Sequence, residues 1–321
     1  MTRAVTGDGR SALQIKTVLV PLDFSRASMC ALKYSIPLAE EFDSAIHLLH
    51  VRPVDEFSAI PGAGHLMLNC ADALALMQDR LSEIEERHPV HFWPEHCHVV
   101  SGRPYVEICK LADELEAELI VIPTRGHSSL KYIALGSTAE RVVRHAPCPV
   151  LIPRGTKFKK MTWSGTEVEQ FAPHRILVPV DFSDCSIAGL QYAALLAKRF
   201  EAKLRLFHAV YPYREAFQID RTGGDLRPLL QSACETAEEQ IEQLRRLKFM
   251  NGIACETEVR VGPAIEEICS ASAHPGIDLL VTSTHGRTGW KRAVIGSVAE
   301  HVIRYAGSPV LVIPSQFEPN N

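Results

Sequence analysis

The feature of this sequence that most constrains its fold is an internal repeat. The hexapeptide from Val20 to Ser25 returns, with one substitution, as the hexapeptide from Val178 to Ser183, 158 residues later. The sixteen residues that begin at Gly136 match those that begin at Gly296 at ten positions. A unit of this length is too long for a solenoid repeat and suits a whole domain. The chain is therefore expected to hold two related domains in tandem.

The predicted bounds of the two domains are residues 15–154 and 173–315, with a linker over residues 155–172. The linker segment is charged, shows no hydrophobic periodicity and lies directly before Pro173. A proline beside such a stretch is typical of a connection between folded units.

Both copies alternate between two kinds of hydrophobic pattern. Short apolar runs, such as Thr17 to Leu22 and Arg175 to Val180, are typical of strands that are buried on both faces of a parallel sheet. A serine, Ser25 or Ser183, follows each run and is placed to cap a helix. Strands that alternate with helices predict a doubly wound α/β fold for each copy.

The charge of the chain argues against two classes of partner. Its 34 basic and 38 acidic residues give a formal net charge of −4 and a pI near 6.4, which favours neither nucleic acid nor an anionic membrane. The first fourteen residues lack the apolar core of a signal peptide, and the nine cysteines form no CxxC pair. We therefore expect a cytoplasmic protein that binds no nucleic acid and no membrane.

Ligands of open parallel sheets bind beyond the carboxyl ends of the strands, and two kinds of loop there carry polar residues. Asp23 and Asp181 follow the first strand of each copy, where a carboxylate either accepts hydrogen bonds from a base or sugar or stabilises the next helix. In the second copy, nine residues separate Gly286 from Gly296 and Ser297. Glycines and free amides at a helix start suit a phosphate; the alternative is a surface loop with a serine cap.

Missing motifs argue against several common enzyme classes. The sequence holds no GxxxxGK[ST] loop, and no GxGxxG follows the first strand, which argues against P-loop NTPases and dinucleotide-dependent dehydrogenases. It also holds no GxSxG elbow, and we assign no catalytic residue. His285 adjoins the loop from Gly286 to Gly296, which we call the glycine loop, but position alone does not make a general base. At most a slow ATPase is expected.

The motifs together resemble one known family. The VPxDFS start of each copy, the HGx9GS segment from His285 to Ser297, the AExV stretch after it and the closing PVL resemble the universal stress protein family in its tandem form. The resemblance implies two Rossmann-like domains of the adenine nucleotide alpha hydrolase type, each a five-stranded parallel sheet with helices on both faces. It also implies pairing through the last strands, within one chain or in a homodimer.

The resemblance further implies an ATP site, because many members bind ATP through a Gly-x2-Gly-x9-Gly-Ser/Thr pattern. In the second copy Ser283 stands in place of the first glycine. A serine keeps the backbone N–H but has a narrower range of φ than glycine. ADP or AMP would fit the same loop, and Mg²⁺ would accompany ATP. The residues implied for the nucleotide are Pro179, Asp181, Ala209, Ser283, Gly286, Gly296, Ser297 and Val298.

The first copy departs further from the family pattern, because Pro123 stands where the first glycine is expected. Proline fixes φ and has no N–H, so the first copy is predicted to be a degenerate partner that supports the fold and the pairing. The weaker equivalents in this copy are Pro21, Asp23, Val51, Gly126, Gly136 and Ser137.

These observations predict an ATP-binding stress-response regulator whose second copy holds the nucleotide. The alternative is a nucleotide-free scaffold, or a stress protein that holds another small ligand and acts by protein contacts. Pro123 and Ser283 favour that alternative.

A run of histidines raises the question of a metal. His88, His91, His96, Cys97 and His98 fall within eleven residues, and His96 and His98 would point to the same side of a strand. The segment lacks the spacings of known zinc sites, and solvated histidines on an edge strand are the simpler interpretation. We assign no metal site.

Overall fold

A computed structural model describes residues 13–53, 70–85, 92–124, 136–154, 172–211, 227–286 and 295–315. In the first half, strands and helices alternate from Thr17 to Ile152. Its elements are β1 (Thr17–Pro21), α1 (Arg26–Phe42), β2 (Ala45–Pro53), α2 (Cys70–Glu85), β3 (Cys97–Gly102), α3 (Pro104–Glu114), β4 (Leu119–Val121), α4 (Ser137–His145) and β5 (Val150–Ile152).

The second half repeats the same order of elements. They are β6 (Arg175–Pro179), α5 (Asp184–Phe200), β7 (Lys203–Val210), α6 (Arg227–Arg245), β8 (Cys255–Val261), α7 (Ala264–Ser272), β9 (Leu279–Ser283), α8 (Ser297–Tyr305) and β10 (Val310–Ile313).

The described strands form one sheet in the order β3-β2-β1-β4-β5-β10-β9-β6-β7-β8. The five strands of each half are parallel to one another, whereas β5 and β10 pair antiparallel, with Leu151 opposite Leu311. We call this antiparallel pair the seam. The predicted fold class, two α/β domains with parallel five-stranded sheets, is confirmed. Residues 155–171 of the predicted linker lie outside the described residues, so the domain bounds stay a prediction.

The sheet is buried on both faces because its strands are apolar on both faces. In β1, Val18 and Val20 belong to one core, and Leu19 between them belongs to the other. Helices α1, α2, α5 and α6 cover the first core, and α3, α4, α7 and α8 cover the second. This alternation is the expected result of β-branched runs in a parallel sheet that has helices on both sides.

Serine caps set where α1 and α5 begin, as predicted. The Ser25 side chain accepts a hydrogen bond from the Ser28 amide at 3.2 Å, and Ser183 does the same for Ser186. Both helices therefore start directly after the carboxyl end of the first strand of their half, with one donor of the first turn satisfied.

Contacts on both faces of the sheet support the seam. On one face the rings of Phe42 and Phe200, at the ends of α1 and α5, meet edge to face with centroids 5.8 Å apart. On the other face Arg304 of α8 contacts Glu140 of α4 at 3.3 Å. Arg199 also reaches across, to Glu41 at 2.9 Å. Each of these contacts joins one half to the other.

The two halves differ at the carboxyl ends of their central strands. β9 continues to Ser283 and pairs with β10 as far as Ile313, whereas β4 ends at Val121. Pro153 occupies the position that Ile313 has in the second half. Because proline has no N–H to donate, the ladder of the first half ends two residues earlier. Pro123, which the sequence analysis singled out, lies just beyond that shortened strand.

We predict that truncation of a seam residue destabilises the chain. Leu311 is 4% exposed, so Leu311→Ala should lower the free energy of unfolding by about 2–5 kcal/mol through lost burial and a residual cavity. Urea denaturation followed by circular dichroism measures the change. Val261→Ala, on edge strand β8 with 50% exposure, is the control and should change the free energy by no more than about 0.5 kcal/mol. An equal loss of stability in the two variants would contradict the burial of Leu311 at the seam.

Candidate functional site

Two pockets lie at equivalent places in the two halves, beyond the carboxyl ends of the strands. The first pocket, of about 420 Å³, opens between the ends of β1, β2 and β4 and the starts of α3 and α4. The second pocket, of about 340 Å³, lies between the ends of β6, β7 and β9 and the starts of α7 and α8. Both volumes fall in the range of small-molecule sites.

The second pocket brings together every residue that the sequence analysis assigned to the second copy. Pro179 and Asp181 come from the end of β6, Ala209 from β7, and Ser283 from β9. The remaining four residues, from the glycine loop and the start of α8, are Gly286, Gly296, Ser297 and Val298. They come from four segments of the chain, so their shared position follows from the parallel sheet.

The first pocket holds five of the six predicted equivalents. Gly126 lies outside the described residues. The other five line the pocket together and are Pro21, Asp23, Val51, Gly136 and Ser137.

One backbone hydrogen bond fastens the start of α8 to the end of β9. The Gly296 amide donates to the Thr284 carbonyl oxygen at 2.9 Å, and the first half repeats this bond from Gly136 to Thr124 at 2.7 Å. The Gly296 amide is therefore engaged within the protein. It holds the first turn of α8 against the end of β9.

The start of α8 has no side-chain cap, which corrects one alternative from the sequence. Gly296 is the N-cap residue and Ser297 is the first residue of the helix, so Ser297 does not cap it. The first backbone bond within α8 runs from the Glu300 amide to the Gly296 carbonyl oxygen. The amides of residues 297–299 precede that bond and are donors that a helix leaves unpaired. This end of the pocket suits an anion.

Asp181 organises the turn between β6 and α5. Its Oδ1 accepts hydrogen bonds from the Ser183 amide at 3.1 Å and from the Ser183 hydroxyl at 2.5 Å. Asp23 accepts the equivalent amide bond from Ser25 at 3.0 Å. The helix-entry role that the sequence left as an alternative is therefore present in both halves.

The second carboxylate oxygen of Asp181 explains why residue 286 is a glycine. A Cβ atom on Gly286 would lie 2.3 Å from Asp181 Oδ2, well inside contact distance. A Cβ on Gly296 would meet nothing nearer than the Thr284 carbonyl oxygen at 3.5 Å. Gly286 thus allows the backbone just after β9 to pack against Asp181, whereas a Cβ on Gly296 would make only ordinary van der Waals contacts.

The sequence analysis missed a phenylalanine and histidine pair that both halves share. Phe24 and Phe182 have φ values of 62° and 64°, in the left-handed region that side chains rarely adopt. Their rings lie 4.7 and 4.6 Å from the rings of His50 and His208. The signal in the sequence was the recurrence of these histidines at the same 158-residue spacing.

The two histidines fix the backbone at the floor of each pocket. His50 Nδ1 donates to the Leu22 carbonyl oxygen at 2.8 Å, and His208 Nδ1 donates to the Val180 carbonyl oxygen at 2.7 Å. A carbonyl oxygen only accepts, so Nδ1 carries the proton in both rings. Each bond joins the second strand of its half to the residue directly before the pocket aspartate.

His285 is buried and anchored toward the end of β10. Its side chain is 8% exposed, and its Nδ1 lies 2.9 Å from the Thr284 hydroxyl, which also accepts the Ser315 amide at 3.2 Å. The hydroxyl can donate to Nδ1 or accept from it, so Nδ1 is engaged with Thr284 in either tautomer. Nε2 is buried and has no hydrogen-bond partner in the described part of the chain.

Three histidines cluster at the other edge of the first half. His47 Nδ1 lies 3.1 Å from His98 Nε2, and the His47 and His96 rings have centroids 4.2 Å apart. Burial, together with the charges of His96 and His98, lowers the pKa of His47 from its ordinary value of 6.5 to about 4. Among the described residues no three His, Cys, Asp or Glu side chains are arranged to hold a metal ion, and His88 and His91 lie outside that part.

Comparisons with known proteins agree with the repeat and with the fold. The profile of the universal stress protein family matches residues 14–154 and again 173–314. A universal stress protein of Methanocaldococcus jannaschii is 33% identical over 142 residues, which is 44% of this chain and 84% of the relative. Universal stress protein G of Escherichia coli O157:H7 is 34% identical over 150 residues, 43% of this chain and 99% of the relative.

Solved structures support the two-domain arrangement of the fold. A universal stress protein from Archaeoglobus fulgidus has a TM-score of 0.58 at 21% identity, covering 94% of this chain and all of that one. A Pseudomonas aeruginosa protein of unknown function has a TM-score of 0.57, also at 21% identity, over 94% of this chain and 92% of its own. No helix in the described ranges is long and apolar enough to cross a bilayer.

We predict that alanine at the two pocket glycines has unequal costs. Gly286→Ala places a Cβ against Asp181 and should lower the free energy of unfolding by about 1–3 kcal/mol through overpacking. Gly296→Ala finds only ordinary contacts and should cost less than about 1 kcal/mol. Chemical denaturation of both variants measures the difference. Equal costs would show that Asp181 does not pack against Gly286.

The histidine cluster predicts a pH dependence of stability. Because the pKa of His47 is about 4 in the folded chain and ordinarily 6.5, the unfolded chain takes up a proton first as the pH falls. Stability should therefore decrease from about pH 6.5 to about pH 4, and His47→Gln should make that decrease shallower. Urea denaturation at a series of pH values tests this. His174→Gln, at an exposed histidine, is the control and should keep the native slope.

Proposed function

This chain is a tandem member of the universal stress protein family, and we propose that its second half binds an adenine nucleotide, with ATP as the principal ligand. The observation that carries the proposal is the uncapped start of α8 beside Gly286 and Gly296, opposite Asp181 in a pocket of about 340 Å³. We expect ADP and AMP to enter the same pocket with fewer phosphate contacts.

The phosphates would lie at the start of α8. The amides of residues 297–299 and the Ser297 hydroxyl supply donors, and the helix dipole favours negative charge at this end. Gly296 has no side chain to hinder close approach to its backbone, whereas the Cβ side of Gly286 is taken by Asp181. Ser283 also lines this part of the pocket, and its hydroxyl donates to the His285 carbonyl oxygen at 2.8 Å. The serine therefore stabilises the loop and keeps its backbone N–H.

The nucleoside would lie between the ends of β6 and β7. Pro179, Asp181 and Ala209 line this part, and His208 holds the backbone before Asp181. The small side chain of Ala209 leaves room for a ring against the carboxyl edge of the sheet. Mg²⁺ would enter on the phosphates, because no described group of three His, Cys, Asp or Glu residues is arranged to hold a metal by itself.

We propose that ATP is held as a ligand, with little turnover. His285, the histidine that adjoins Gly286, is only 8% exposed and its Nδ1 is engaged with the Thr284 hydroxyl. A regulatory effect then requires that ATP bind one conformation or assembly of the chain more tightly than another. The seam between β5 and β10 is the connection through which the second half would act on the first, in a protein that we place in the cytoplasm.

The test is the stoichiometry of ATP binding, measured by titration calorimetry. We predict about one ATP per chain for the native protein and at least a tenfold loss of affinity, about 1.4 kcal/mol, in Gly296→Val, whose side chain fills the space beside α8. Gly136→Val changes the equivalent residue of the first half and is the matched control.

The number of ATP molecules bound per chain shows which half holds the nucleotide. If Gly136→Val keeps the native stoichiometry, ATP binds in the second half. Two sites per chain would show that Pro123 does not prevent nucleotide binding. No binding at all would overturn the proposal and favour a scaffold that acts by protein contacts.

A further inference from the structure

We propose that His47 and His98 bind a transition-metal cation such as Zn²⁺ between strands β2 and β3, with water completing its coordination. Both histidines lie near the amino ends of their strands, and β3 is an edge of the sheet. Neither is among the described residues that line the two pockets, so the inference is independent of the proposed nucleotide binding. The sequence analysis assigned no metal here, because the pair is completed by a histidine from the neighbouring strand.

The second half has an ion cluster at the equivalent place. In this cluster the Arg205 guanidinium lies between two carboxylates of the neighbouring strand, 3.2 Å from Glu256 and 3.5 Å from Glu258. Arg205 stands directly opposite Glu256 in the register of β7 with β8. A side chain of the protein therefore supplies the cation at this place, and the two carboxylates hold it.

In the first half all three of these positions are histidines. His47 corresponds to Arg205 and precedes it by 158 residues. The register of β2 with β3 places His96 and His98 at the positions of the two carboxylates. Three imidazole rings thus replace one cation and two anions. The first half has exchanged its own cation for a group of nitrogen atoms that can bind one from solution.

The distance between two of these nitrogen atoms suits a shared metal ion. His47 Nδ1 and His98 Nε2 lie 3.1 Å apart, and the planes of the two rings differ by 14°. Zn–N bonds of about 2.0–2.1 Å place two ligand atoms about 2.9 Å apart at a right angle and about 3.4 Å apart at the tetrahedral angle. The observed separation falls between these values, so small rotations of the two side chains are sufficient.

Both rings are in the protonation state that a metal requires. Burial is the main cause that lowers the pKa of His47 to about 4, and burial also lowers the pKa of His98, so both imidazoles are neutral at pH 7. One of the two facing nitrogens carries the proton of their hydrogen bond. When the metal binds, that proton moves to the outer nitrogen of its ring, and both facing nitrogens become ligands.

The donor set selects the class of cation. Imidazole nitrogen suits Zn²⁺, Ni²⁺ and Cu²⁺, whereas Mg²⁺ and Ca²⁺ prefer oxygen ligands. His96 packs its ring against that of His47, with centroids 4.2 Å apart, and so orients it. No third protein ligand joins the pair in the described part of the chain, so water takes the remaining positions. The metal would join β2 to β3 as the ion cluster joins β7 to β8.

Titration calorimetry of the full chain, freed of metal with EDTA, tests the proposal. We expect about one Zn²⁺ to bind per chain at micromolar zinc, and Mg²⁺ at the same concentration should not compete. His47→Gln and His98→Gln should each weaken zinc binding by about tenfold or more, because each removes half of the protein ligands. Zinc binding that appears only at millimolar concentration, or that neither variant weakens, would overturn the proposal.

Two control variants separate this site from other ligands in the chain. Cys97 precedes His98, but its side chain packs against the first core, on the opposite face of the sheet, so Cys97→Ser should keep the zinc site. His174→Gln removes an exposed histidine and should also keep it. Loss of the site in Cys97→Ser would show that a thiolate holds the zinc, and it would contradict the assignment to two imidazoles.

An exchange between the halves tests the physical cause. The triple change His47→Arg, His96→Glu and His98→Glu gives the first half the ion cluster of the second. This variant should lose zinc binding, and with it the rise in melting temperature that zinc gives the native chain. Far-ultraviolet circular dichroism shows whether the variant is folded. A folded variant that still binds zinc would contradict the proposal.

A gain of function completes the test. The double change Arg205→His and Glu258→His places two imidazoles at the corresponding positions of the second half, and it should raise the stoichiometry from one zinc per chain to two. Glu256 is kept because it also pairs with Lys203. A folded double variant that still binds only one zinc would show that two histidines at these positions do not make a site.

Discussion

The rest of the structure depends on the antiparallel hydrogen bonds between β5 and β10. Each half ends in a short, wholly apolar strand, and an edge strand of that kind exposes unpaired backbone groups on which other chains can assemble. At the seam, the backbone donors and acceptors of β5 and β10 pair with one another. The edges that remain, β3 and β8, are of a different kind. Along β8, Glu256, Glu258 and Arg260 form ion pairs with side chains of the same half, and such a charged edge resists pairing with another sheet.

Much of this architecture was predictable, because it follows from local pattern and duplication. The repeat predicted two domains. The alternation of short apolar runs with segments of helical spacing predicted an α/β fold for each. Ser25 and Ser183 cap the helices that the sequence placed after them. The pocket residues of the second half also come together as expected, since the carboxyl ends of parallel strands share one edge of a sheet.

The features that escaped the sequence analysis depend on contacts between distant segments. The left-handed φ of Phe182 is paired with a histidine that lies 26 residues away, and no local propensity predicts it. The requirement for glycine at residue 286 comes from the Asp181 carboxylate, which belongs to another loop. The early end of β4 follows from Pro153 on the neighbouring strand. In each case the cause lies on a different element from the effect.

The antiparallel seam also sets the directions in which the two pockets face. Within each half the pocket lies at the carboxyl edge of a parallel sheet, and one half runs opposite to the other. The two pockets therefore open at opposite rims of a single sheet. A ligand in one pocket would therefore act on the other through the contacts that join the halves, which include the ladder of Val150, Leu151 and Ile152 against β10. The backbone hydrogen bonds between β5 and β10 are then the pivot about which the two halves would move relative to each other.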